Sequence, residues 1–275
     1  MEQTILGELI YYAHKLSPRF KQLLIIPISD VHYGNPLFSA LHFRKTIRFI
    51  KDTPNAFGIL NGDLIESNLR TSKGDIYKQV GTPQDQMEWI IKELTPIKKK
   101  LLGMTTGNHE GRIYDSIGFD VSKEIASVLE IPYRPVGMLL KISFGLGNDR
   151  VADRPFTYFI YFTHGYGGAR TKAAKAVKVE RLGTWVHADA YIMAHDHVVN
   201  VAPDVYLMPD PRTRHDEETG FEIGTVKAHR KMLIKSNAYL KFGGYSEMGG
   251  FPPVDLEIPI IKLAGTGKPR VSVEV

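Results

Sequence analysis

Short, nearly continuous apolar runs recur along this chain, each ending in a polar cluster, and the first of them constrains the fold most. Leu23, Leu24, Ile25, Ile26 and Ile28 form the pattern of a strand buried on both faces of a sheet. The run leads into Asp30-Val31-His32. Open α/β sheets do their chemistry at the carboxyl ends of such strands, where loops leave the core. Asp30 and His32 are two residues apart, so an extended backbone would point both side chains the same way. A carboxylate and an imidazole so placed are two ligands for a divalent metal.

The pattern repeats downstream. Ala40 to Ile50 is an amphipathic helix, and Phe57 to Leu60 is a second buried strand ending in Asn61-Gly62-Asp63. The intervening length suits a parallel βαβ crossover. After a polar loop over 66–83, Gln84 to Leu94 reads as a helix stopped by Pro96. Leu101 to Met104 is the third strand, ending in Gly107-Asn108-His109-Glu110. Ser122 to Leu129 resumes helical spacing. Leu139 to Phe144 and Phe156 to Phe162 read as a hairpin turning around 147–150, and the second run ends in Thr163-His164-Gly165. Arg170 to Leu182 is helical, and Ala188 to Met193 is a strand ending in Ala194-His195-Asp196-His197. The remainder has β texture. Ahead of all this, Ile5 to Lys15 has helical spacing, which predicts an N-terminal helix within residues 1–22. With no internal repeat or linker-like stretch, the expectation is a single domain over 1–275, residues 198–275 completing a second sheet.

Composition narrows the chemistry. The 275 residues contain no cysteine, so disulfides and thiolate metal sites are excluded and any metal is held by His, Asp, Glu, Asn or backbone. No run approaches the ~18 apolar residues of a membrane span, and the N-terminal residues lack a signal-peptide pattern. A cytoplasmic, or phage-encoded intracellular, location is therefore expected, with no membrane partner. The net charge of +5 is compatible with anionic substrates.

Asp30/His32, Asp63, Asn108/His109, His164 and His195/His197 each stand at or just after a strand end. In this order they resemble the blocks of the calcineurin-like metallophosphoesterases: Asp-x-His, Gly-Asp, Gly-Asn-His-Glu, a further His, and Gly-His-x-His. The last block here has Ala194 in place of Gly, and Thr163 precedes His164. The resemblance covers roughly residues 23 to 200 in several separate blocks. It implies a four-layer αββα sandwich of two mixed sheets with a dimetal site at the strand ends. It further implies that Asp30, His32 and His197 hold one metal, that Asn108, His164 and His195 hold the other, and that Asp63 bridges them. His109 would protonate the leaving oxygen or stabilise the transition state. Hydroxide held between two metals about 3.5–4 Å apart would attack phosphorus in line. Mn is the first expectation for the two divalent ions, with Fe, Zn and Ni open.

Within that family, Glu66 stands where purple acid phosphatases have a Tyr ligand. Gly62-Asp63-Leu64-Ile65-Glu66-Ser67-Asn68 also lacks the Arg of the Ser/Thr protein phosphatases. Size and the Gly107-Asn108-His109-Glu110-Gly111-Arg112 block look more like small phage- and prophage-type phosphoesterases. The function expected is a phosphodiesterase or nuclease, with a phosphomonoesterase as the alternative and a non-catalytic scaffold as a third. Gly165 to Lys172 opens a helix just after His164, so Arg170 and Lys172 are expected to contact substrate, nucleic acid being the leading polymer. Lys175, Lys178 and Arg181 are read as a solvated basic side opposite Ala173, Ala176 and Val177. Gly243 to Pro253 is expected to be a mobile loop with Tyr245 and Phe251 near the mouth of the site.

Overall fold

In the computed structural model, which describes residues 9–72, 74–146, 154–248, 250, 252–253 and 255–275, two mixed sheets lie face to face between helices. The strands are β1 (Tyr11–Lys15), β2 (Gln22–Ile28), β3 (Ala56–Asn61), β4 (Leu101–Thr105), β5 (Met138–Phe144), β6 (Phe156–Thr163), β7 (Ala190–Met193), β8 (Asn200–His215), β9 (Glu222–Lys235), β10 (Ile260–Ala264) and β11 (Val271–Glu274). The helices are α1 (Ala40–Asp52), α2 (Pro83–Leu94), α3 (Asn108–Ile117), α4 (Val121–Leu129) and α5 (Lys172–Leu182). One sheet has the order β11-β10-β2-β3-β4 and the other β1-β5-β6-β7-β9-β8.

Strand periodicity produces the layers. Leu23 and Ile25 point into the space between the sheets, against Phe57, Ile59, Leu140, Ile160 and Ile192. Ile26 and Ile28 point the other way, onto Phe43 and Ile47 of α1, Ile90 of α2 and Ile125 of α4. On the far sheet, Tyr161 and Tyr191 pack beneath Val179 and Leu182 of α5. Three apolar layers thus separate helices, sheet, sheet and helix, which is the αββα sandwich.

Two local expectations are corrected and one element is added. Tyr11–Lys15 is a strand, not a helix: it pairs in parallel with β5, Tyr11 opposite Leu139 and Lys15 opposite Ser143. A free edge of the second sheet overrides the local helical spacing. His14 there lies 2.7 Å through Nε2 from the Leu102 carbonyl. Residues Ile5 to Glu8 of the predicted helix lie outside the described residues. Second, only β8 and β9 extend the second sheet; β10 and β11 return to the first, β10 antiparallel to β2. The stretch between β4 and α4, to which no element was assigned, forms α3 (Asn108–Ile117), two residues after β4. Ile113 is its one buried apolar side chain.

The predicted hairpin is real in its strands, β5 and β6 being antiparallel, while its turn at 147–150 lies outside the described residues. Within the expected loop over 243–253, Tyr245–Met248 is a helical turn, and Gly249 and Phe251 lie outside the described residues. No helix among the described residues is long and apolar enough to cross a membrane.

Candidate metal centre

Parallel strands from both sheets end at one edge, and that edge collects the polar clusters. Asp30 and His32 follow β2, Asp63 follows β3, Asn108 follows β4, His164 follows β6, and His195 and His197 follow β7. The backbone that aims them is not extended. Asp30 and His32 each have φ of 49°, Asp63 51°, His195 71° and His197 50°. Among the described non-glycine residues only Ser67 and Glu130 share this left-handed region. L-residues adopt it at a cost, so five of the seven predicted ligands sit in strained turns held by their surroundings.

Glu110 supplies much of that hold. Its buried carboxylate accepts from the backbone N–H groups of Asp63 (3.0 Å), Leu64 (2.6 Å), Ile65 (3.1 Å) and Gly107 (3.2 Å). One side chain therefore caps α3 and clamps the turn that carries Asp63. Burial, reinforced by the Asp63 charge, pushes its carboxyl up from the ordinary range. The two turns also need their glycines. A Cβ on Gly107 would lie 2.1 Å from both the N and Oδ1 of Asp63, and Gly62, at φ +76°, would meet Gly107 at 2.6 Å.

The donors fall into two groups. Asp30, His32 and His197 form one and Asp63, His164 and His195 another, with ligand atoms within 4.8 Å of one another in each. Asn108 Oδ1 joins the second group, 2.7 Å from His195 Nδ1 and 3.1 Å from His164 Nε2. Asp63 Oδ2 lies 3.1 Å from His164 Nε2 and 3.8 Å from His32 Nε2, so it faces both groups.

Hydrogen bonds at the far ring nitrogens orient the imidazoles. His164 Nδ1 donates to the Asn61 carbonyl (2.9 Å) and His195 Nε2 to the Gly167 carbonyl (2.5 Å). His32 Nδ1 pairs with Glu66 Oε2 (3.1 Å). Tying one ring nitrogen to a carbonyl or carboxylate leaves the other free to ligate, the usual arrangement around protein-bound metals. The free nitrogens converge: His32 Nε2 and His197 Nε2 are 3.2 Å apart, and His164 Nε2 and His195 Nδ1 3.3 Å. Ligands about 2.1 Å from one ion and at right angles are separated by about 3 Å. Asp30 Oδ1, fully buried, has no hydrogen-bond partner although His197 Nε2 lies 3.2 Å away. A buried carboxylate oxygen so orphaned calls for a cation. The residues fit two divalent ions.

Electrostatics points the same way. Burial opposes charge on Asp30, yet the His197 charge outweighs it and lowers the carboxyl to about 2. Burial likewise opposes charge on Asp63, and His164 and His109 lead the interactions that hold it well below the carboxylate range. Despite the burial penalty, Glu66 raises His32 to about 9, with Asp63 and Asp30 contributing, and Asp63 raises His164 to about 10. Burial holds His195 below its ordinary value. The carboxylates thus draw positive charge to one centre, as protons or as metal ions that displace them.

His109 sits on the first turn of α3, its Nδ1 donating to the Glu66 carbonyl (2.6 Å) and its Nε2 3.9 Å from Asp63 Oδ2. Burial lowers its ring to about 4. It also forms a third donor group with His32 and Glu66. Sequence reasoning assigned no role to Glu66 or Glu110. The Gly107…Glu110 spacing is the one local signal, that of a capping box; nothing near Glu66 marks it.

Behind the His195-Asp196-His197 turn, the structure overturns the reading of α5. Lys175 is buried, with Nζ donating to the Asp196 carbonyl (3.0 Å), while Val177 is exposed. Lys178 Nζ lies 2.7 Å from Asp196 Oδ1, and the fully buried Lys235 lies 2.6 Å from Asp196 Oδ2. Lysine stems cover apolar surface while their ammonium groups reach Asp196, so the basic side faces inward. Arg181, as expected, is exposed. Asp196→Asn should lower stability by about 3–5 kcal/mol, because it strands the buried Lys235 charge. Urea midpoints check this, and a destabilisation of less than about 1 kcal/mol would mean that solvent reaches Lys235. Arg170 and Lys172 flank Thr171, whose side chain caps α5 by accepting from Ala174 N; both are exposed.

Fold and donor set define an α/β sandwich with a candidate two-cation centre at the carboxyl edges of its parallel strands. Solved structures similar to this chain include the phosphoesterase YfcE from E. coli, at 12% identity over 88% of each chain and a TM-score of 0.38. Vps29 from Chaetomium thermophilum has 12% identity, with 92% of this chain and 96% of that one covered and a TM-score of 0.37. A metallophosphoesterase from Sphaerobacter thermophilus has 12% identity, with 87% and 83% covered and a TM-score of 0.37. No family model and no curated protein matches the chain.

Proposed function

We propose that the protein is a dinuclear metal-dependent phosphoester hydrolase acting on phosphodiesters, with nucleic acid the leading polymeric substrate. The observation that carries this reading is the convergence of Asp30, His32 and His197 and of Asn108, His164 and His195 on either side of Asp63. Bound there, Mn or another divalent ion would supply Lewis-acid chemistry at a phosphoryl oxygen. The chain's own groups do the rest. His109, with its proton on Nδ1 held by Glu66, presents Nε2 toward the centre. An arriving phosphate anion favours protonation of Nε2, from which the proton passes to the leaving ester oxygen.

The 165–170 loop favours a diester. It begins at His164 and is pinned to the centre where the Gly167 carbonyl accepts from His195. Arg170 and Lys172 follow within five residues and both reach solvent, free to meet the second ester arm. The Arg170→Ala/Lys172→Ala double variant should raise KM for DNA. It should also reduce the log–log salt slope by about 1–2, at ~0.9 for each phosphate no longer neutralised. An unchanged KM and slope would remove both residues from the substrate path.

The direct test compares matched aryl phosphomonoesters and phosphodiesters with Mn present, then single- and double-stranded DNA. Diester turnover with DNA cleavage is expected. Strong monoester preference without DNA cleavage replaces the reading by a phosphomonoesterase. Inertness toward all of them, with no metal retained, replaces it by a scaffold.

A further inference from the structure

Arg112 stands on α3 three residues after His109 and four after Asn108, spacings that place side chains on one helical face. It is half-buried. Its Nη1 lies 3.4 Å from Ser72 Oγ, in the segment that Ser67 ties to the site by donating to the His109 carbonyl (2.5 Å). Among the described residues no carboxylate lies within ion-pair distance of Arg112. Asp115, one turn along, is exposed and makes no pair with it. Other cations on this molecule do find acids: Arg44 pairs with Glu93, Lys98 with Glu130, and Lys178 and Lys235 with Asp196. A half-buried guanidinium without an acid, one turn from a predicted ligand, has its anion still to come.

We infer that Arg112 binds the non-bridging oxygens of the substrate's phosphoryl group, with Ser72 steadying the guanidinium. This rests on the phosphoester reading above and adds a residue to it. Arg170 and Lys172 sit at the far end of a loop and serve an outer ester arm; Arg112 projects from a rigid helix beside His109. A planar guanidinium offers two parallel N–H donors to two phosphoryl oxygens, which an ammonium does not reproduce. One such charge-assisted contact is worth roughly 10- to 100-fold in affinity.

The test uses Mn-loaded protein and two readouts: calorimetric titration with inorganic phosphate, and KM for an aryl phosphodiester. Arg112→Ala should weaken both at least tenfold while metal content stays at the wild-type level. Arg112→Lys should recover only part of the loss. Guanidinium added to the buffer should restore part of the Ala variant's affinity and leave the wild type unaffected, an effect a packing role does not produce. Phosphate affinity and KM within twofold of wild type would overturn the inference, as would reduced metal content without guanidinium rescue. If the Ala variant fails to fold, Arg112→Gln, which can keep a hydrogen bond to Ser72, carries the same comparison. Phosphate binding that depends on Arg112 in a protein inert toward every phosphoester would sink the hydrolase reading and leave this one standing.

Discussion

Asp63→Asn is expected to abolish turnover more completely than any other single change in the donor set, by roughly 10³-fold or more. That exceeds the 10²–10³ which one transition-state donor commonly contributes. The reason is geometric. Asp63 is buried, and its Oδ2 faces His164 Nε2 at 3.1 Å, His32 Nε2 at 3.8 Å and His109 Nε2 at 3.9 Å, while its Oδ1 accepts from the His109 backbone N–H at 2.8 Å. Two divalent ions held close together need a shared anionic oxygen to offset their repulsion, and an amide is nearly isosteric but neutral. The variant should therefore fold and yet bind less metal, which elemental analysis alongside the turnover assay will show. Near-normal activity with two metals retained would remove Asp63 from the bridging position.

His109→Ala should behave differently: both metals stay and the rate falls about 10²–10⁴-fold, the usual scale for a positioned acid–base group. Asn108, its neighbour, reaches His164 and His195, whereas His109 bonds through Nδ1 to the Glu66 carbonyl and to neither of those histidines. The competing geometry is the group of His109 with His32 and Glu66. Loss of one equivalent of metal in His109→Ala would make that group a genuine ligand set and transfer His109 from acid to ligand. Because the ring also packs edge-on against His32 at 4.4 Å, the stability of the variant is to be measured beside its metal content.

Both variants act on a site whose shape is held from behind. The left-handed turns at Asp30, His32, Asp63, His195 and His197 persist because neighbouring groups fix them. Asp30 N donates to the Gly62 carbonyl and His32 N to the Asp63 carbonyl, each at 3.0 Å, so the turns after β2 and β3 brace each other. Glu110 clamps the second of these, and the lysines gathered on Asp196 fix the turn after β7. Binding groups carried on such a frame meet a ligand with little reorganisation, the condition for electrostatic preorganisation.

Much of this was legible in the chain itself. A run such as Leu23–Ile28 can be buried on both faces only between two layers, so local hydrophobicity alone identified β2, β3 and β4 and the polar residues at their ends. Side-chain chemistry likewise limited the metal donors to His, Asp, Glu and Asn, because the chain has no cysteine. Other features depend on neighbours distant in sequence. Tyr11–Lys15 becomes a strand because β5, more than 120 residues on, offers it an edge. Asp30 and His32 converge through left-handed turns that Gly62 and Asp63 brace from across the sheet, where strand geometry alone favours extended backbone. Lys175 and Lys178 face inward because Asp196 lies beneath them, and no periodicity within α5 could announce it. Glu66 matters through what stands opposite it, His32. Apolar burial depends on each residue's own surface and is written locally; ion pairs and strained turns depend on partners that only the folded chain brings within a few ångströms.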